Sequence, residues 1–188
     1  MRVQFVRSDQ GTGYDVLILR EDGLTVQLPG YGRTFRVPHE LAHFVAEREF
    51  RLERGVFGCI AAGAMFSNMT VTNARHRYDG HSRSRAVLRE FAEELSLAEC
   101  LCGVVHEAIE LGLGLGPAHR RLRETWGALR PGPCPFEPAD LRRALDRLDL
   151  LGARWQAVAP GERLALRWEL PPRPVPGRRR IRVPATGW

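Results

Sequence analysis

Tyr14-Asp-Val-Leu-Ile-Leu-Arg-Glu-Asp-Gly-Leu-Thr-Val-Gln-Leu28 holds two strand patterns and the turn between them. Residues 14–20 carry the β-rich composition of a central strand. Glu21-Asp22-Gly23 is hairpin chemistry, and Leu24, Val26 and Leu28 then repeat with period two. Upstream, Val3 and Phe5 alternate in the same way, so the segment reads as an antiparallel meander that Pro29-Gly30 and Gly32 close.

Downstream the period changes. A helix is expected from Pro38 to about Arg54, with Gly55 as its stop, followed by a buried apolar helix from Val56 to Phe66. Residues 67–81 read as irregular, with Met69-Thr70-Val71 as a short extended piece. Helices are expected at 83–95 and 97–111, the second opened by a capping box at Ser96-Leu97-Ala98-Glu99. Gly112, Gly114 and Gly116 break the chain before a helix from Pro117 to Leu129, and a Pro/Gly loop at 131–138 precedes a last helix through Leu150. Strand patterns return at 154–159 and 163–170 around Pro160-Gly161-Glu162. The expected fold is α+β: an antiparallel sheet, built from the N-terminal meander and a C-terminal hairpin, packed against four to six helices. Residues 1–170 form one domain in this reading, and 171–188 a Pro/Arg-rich tail.

A chain of 188 residues that is 44% hydrophobic and 27% charged can bury a core without metal or disulfide staples. No apolar run approaches the ~18 residues of a membrane helix, and the first residues lack secretory-signal character. The expectation is a cytoplasmic protein with no membrane partner. Cys59, Cys100, Cys102 and Cys134 form no CxxC pair and fit free thiols in a reducing compartment.

The net charge of +6 comes from an uneven distribution. Every basic residue is Arg, and no acid follows Glu169, where Arg173, Arg178, Arg179, Arg180 and Arg182 lie. The rest of the chain balances 23 arginines against 22 acids, so the high pI belongs to the tail. Nucleic acid is a candidate partner for Arg178, Arg179, Arg180 and Arg182, although no DNA-binding motif accompanies them. A homo-oligomer is a further candidate assembly.

His39-Glu40-Leu41-Ala42-His43 is the motif with a mechanism. Positions i and i+4 share a helical face, so both imidazoles can meet one Zn²⁺, and the Glu between them can take a proton from water. The five residues resemble the HExxH signature of zincin metallopeptidases. That resemblance implies His39 and His43 as metal ligands, Glu40 as general base and zinc as cofactor. Ala46 and Glu49 stand where a metzincin would have Gly and His, so a Glu-type third ligand would come from a later helix, with His106, Glu107 and Glu110 as candidates. The Pro-His-x-Leu-x-His helix after a small meander also resembles bacterial proteins that carry no assigned activity.

The same residues have a structural use. With Pro38 at N1, Glu40 falls at N3, where the helix dipole favours an acid. Leu41, Phe44 and Val45 make the apolar stripe, and His39 and His43 can hydrogen-bond at the core edge. Two other constellations have simple readings: the polar loop His76, Arg77, Asp79, His81 and Ser82 as a solvated connection, and the glycine repeat at 112–116 as a linker. The leading expectation is a small bacterial protein with a structural or interaction role. The alternative is a zincin-like zinc-dependent hydrolase or peptidase, and the weaker one nucleic-acid association through the tail.

Overall fold

The structure, a computed structural model, describes residues 1–10, 13–30, 35–73 and 80–170. The meander forms from β1 (Arg2–Arg7), β2 (Tyr14–Leu19) and β3 (Thr25–Pro29). Two further strands join it, β4 (Thr70–Val71) beside β3 and β5 (Arg163–Arg167) beside β1, giving the order β4-β3-β2-β1-β5 with every pairing antiparallel. Because strand side chains alternate, Val3, Phe5, Val16, Ile18 and Val26 all point to one face and are fully buried there.

Among the described residues there are six helices: α1 (His39–Glu49), α2 (Val56–Ala62), α3 (His81–Glu90), α4 (Ala92–Glu110), α5 (Leu115–Leu129) and α6 (Pro138–Gln156). The α+β class is therefore as expected. Helix α1 packs on α2, α4 and α6, and on the sheet through Phe44, whose ring meets Phe5 edge-on at 6.4 Å. Every residue from Glu40 to Glu47 is buried. A helix buried all round is ordinarily apolar, so three buried polar side chains on this one, Glu40, His43 and Glu47, call for a physical account.

Several boundaries differ from the sequence reading, each for a local reason. Helix α1 stops at Glu49 because Arg51 turns left-handed at φ 56°. Leu52 N–H then donates to Glu47 O at 2.8 Å and Arg51 N–H to Arg48 O at 3.3 Å. That is a Schellman cap with Arg where Gly is usual, so the first glycine downstream, Gly55, lies past the end of the helix. Arg51→Gly is expected to stabilise the fold by about 0.5–1 kcal/mol, read as a raised urea midpoint at unchanged slope. Gly63, at φ 110°, caps α2 likewise and cuts short the helix expected through Phe66.

Ser96 lies inside α4 and starts nothing; the break falls at Phe91 instead. The capping box that does form is Glu137 with Asp140, at the start of α6. Residues 154–156 continue α6 rather than forming a strand, so β5 stands without the expected hairpin partner. The reason is periodicity: Leu141, Ala144, Leu148, Leu151 and Trp155 are buried at helical spacing, and the Arg7 guanidinium donates to Trp155 O at 3.0 Å.

No helix among the described residues is long and apolar enough to cross a membrane. All four cysteines are free thiols. The tail arginines, and His76, Arg77 and Asp79, lie outside the described residues.

Candidate metal centre

The first turn of α1 is held by the sheet. Pro38 is its N-cap rather than N1, so the helix starts one residue later than expected, Glu40 falls at N2, and no side chain caps the helix. Glu40 is thus free of capping duty. Its carboxylate accepts a hydrogen bond from Tyr14 Oη, at the start of β2. The same hydroxyl accepts from His39 N–H at 3.2 Å, and the Tyr14 ring packs edge-on against Trp155.

One turn along α1, His43 is 2% exposed. Its Nδ1 meets Glu47 Oε1 at 3.2 Å. Glu47 is completely buried and accepts three amide N–H bonds where α2 begins, from Val56 at 2.7 Å, Phe57 at 3.1 Å and Gly58 at 3.4 Å. Gly55 makes that approach feasible, because a Cβ there would fall 2.2 Å from Glu47 Cδ. The carboxylate fixes the imidazole by its Nδ1 side and turns Nε2 toward α4, the arrangement in which carboxylates support metal-ligating histidines.

What Nε2 faces is Glu99, on the second turn of α4. His43 Nε2 lies 3.2 Å from Glu99 Oε2 and His39 Nε2 lies 3.9 Å from the same oxygen. Donor atoms of His39, His43 and Glu99 all fall within 4.8 Å of one another. Ligand atoms around tetrahedral zinc, at about 2.0–2.2 Å from the ion, stand roughly 3.4 Å apart, so the trio fits one ion with small adjustment. Although close to Glu99, His43 Nε2 has no hydrogen-bond partner of acceptable geometry among the described residues. A buried polar nitrogen left so is costly, and a cation between it and the carboxylate would satisfy both.

The electrostatics agree. Burial opposes charge on His43, but Cys102, Glu47 and Glu99 packed round the ring carry its pKa well above the ordinary value. The His39 and His43 imidazoles beside it hold Glu99 well below the usual carboxylate range, against the effect of burial. Burial raises Glu47, opposed by His43 and the amides of Val56 and Gly58, and it raises the Cys102 thiol. The cluster thus favours positive charge at the His43 ring.

The site is open on one side. His39, Glu40, His43 and Glu99 line a cleft of about 500 Å³ with Leu28, Val56, Phe66, Ser67 and Asn68. Half the Glu99 side chain is exposed. An ion held by three protein donors beside a cleft would keep a coordination position open, as catalytic zinc sites do and structural ones do not. Compared with protein-family models, curated proteins and solved structures, the chain shows no significant match to any of them.

Of the later-helix candidates, only His106 touches the histidine pair, its Nδ1 lying 3.4 Å from His39 Nδ1. Burial lowers its pKa. Its Nε2 meets Val37 O at 2.9 Å, while Glu110 accepts from the Arg36 and Val37 amides at 3.1 and 2.9 Å. The i, i+4 pair does converge on one target, the backbone leading into α1. Glu107 pairs with Arg121. In their place the structure brings Glu99, whose spacing from Ser96 suggests a capping box that does not form. A second close group, His43, Glu47 and Cys102, is wholly buried; with Glu47 taken up by amides, it supports His43. Tyr14, Glu47 and Glu99 were missed as site residues. Glu99, Cys102 and His106 do interrupt α4 at spacings of three and four, a polar stripe that could have marked the face.

Proposed function

We propose that this chain is a zincin-like, zinc-dependent hydrolase, with His39, His43 and Glu99 as the ligands. The observation that supports the reading is the buried Nε2 of His43, held by Glu47 from behind and set 3.2 Å from Glu99 without a well-formed hydrogen bond among the described residues. Zinc held there would lower the pKa of water and polarise a carbonyl oxygen. Glu40, lining the same cleft, takes the proton from the attacking water and passes it to the leaving group. Tyr14 positions Glu40 by hydrogen bond and ties it to the first turn of α1. Apolar Leu28, Val56 and Phe66, with no Arg among the cleft-lining residues described, favour an uncharged carbonyl substrate. A peptide bond is the natural member of that class.

Zinc content tests this. Untagged wild-type protein is expected to hold near-stoichiometric zinc by elemental mass spectrometry. The His39→Ala, His43→Ala double variant and Glu99→Ala should lose it while keeping the fold. Binding must displace the proton that the raised pKa of His43 retains, so affinity should strengthen as pH rises through that pKa and weaken below it. A wild-type protein that holds no zinc, and takes up none when zinc is added, returns the chain to a structural or interaction role.

A further inference from the structure

Resting on that reading, we infer that His106 is a positioning residue: its Nδ1 holds His39 in the one tautomer that can offer Nε2 to a metal. The argument begins at Val37. Its carbonyl oxygen carries no proton, so His106 Nε2, 2.9 Å away, must be the donor. That leaves His106 Nδ1 to face His39 Nδ1 at 3.4 Å. When His39 ligates through Nε2, its Nδ1 carries the proton, and a second proton on His106 would set two N–H groups against each other. His106 Nδ1 is therefore the acceptor and His39 Nδ1 the donor. An imidazole without such a partner divides itself between two tautomers, and the form protonated at Nε2 cannot ligate through that nitrogen.

The end of this relay is itself immobilised. Glu110, one turn beyond His106 on α4, accepts from the Arg36 and Val37 amides. Val37 is fully buried and packs so closely on Gly152 of α6 that a Cβ there would fall 2.7 Å from Val37 Cγ2. The two ligand histidines are thus oriented by different devices. A buried carboxylate serves His43, and a second imidazole anchored on backbone serves His39.

His106→Phe keeps a ring and removes the acceptor; His106→Asn loses the ring but sets a carbonyl oxygen near the former Nδ1. Zinc affinity measured against a competing chelator is expected to fall about 10–100-fold in the Phe variant and to recover in large part in the Asn variant. A packing role alone predicts the reverse order, since Phe fills the space better, and that order would overturn the inference. Tautomers can also be read without any variant, from long-range proton–nitrogen correlation spectra of the zinc-loaded wild type. Protons on His39 Nδ1 and His106 Nε2, with His106 Nδ1 bare, are the expected result. A proton on His106 Nδ1 sinks the idea. If the wild type takes up no zinc, the hydrolase reading falls and this inference with it. If the wild type and His106→Phe bind zinc alike, only the inference falls.

Discussion

Glu47→Ala is expected to lower the stability of the fold by about 3–5 kcal/mol, the range for removing one partner of a buried charged network. The side chain is 0% exposed and closes two structures at once. It supplies the acceptors for the Val56, Phe57 and Gly58 amides, which begin α2, and it orients His43. Alanine leaves three buried N–H groups without partners, each costing about 1–3 kcal/mol before relaxation. It also leaves a cavity beneath Gly55, whose missing Cβ marks how closely the backbone rides over the carboxylate. Urea unfolding measures the loss. A change under about 1 kcal/mol would mean that the α2 amides find other partners and that Glu47 is not the joint between α1 and α2. Zinc affinity should fall in the same variant, because His43 loses the group that directs its Nε2.

Glu40→Gln has the largest expected effect on chemistry. General acid–base catalysis contributes typically 10²- to 10⁴-fold, and turnover of a library of internally quenched peptides should drop by that factor. Bound zinc and stability should hardly change, because the amide oxygen can still accept from Tyr14 Oη and Glu40 is not among the grouped metal donors. Full activity in a zinc-loaded Glu40→Gln variant rules out the proposed role for Glu40. Activity and metal lost together would instead show that Glu40 holds the first turn of α1 in place.

Much of the sheet was readable in advance because strand periodicity is local. Val3, Phe5, Val16, Ile18 and Val26 alternate along the chain and end on one buried face. The errors came where a local signal had two physical meanings. Trp155 satisfies a strand pattern over six residues and a helix pattern over fifteen, and burial against Leu148 and Leu151 decides for the helix. Ser96 and Glu99 have the spacing of a capping box, but Leu97, Ala98 and Leu101 pack into the core only if α4 runs through them. Glu99 is then left at the helix surface facing α1, beside His39 and His43.

By itself the sequence determined the α+β class, the location of the excess positive charge in the tail, and the placing of two histidines and a glutamate on one helix, all of which rest on spacing within a few turns. Which carboxylate joins the histidines, which one buttresses His43, and which imidazole sits behind His39 were decided by tertiary structure. Those partners lie on different elements, and their distances depend on how α1 packs against α4, α2 and β2. A rotation of α4 by one residue turns its side chains by about 100°. That would carry Glu99 away from His43 and leave every local pattern in the chain unchanged.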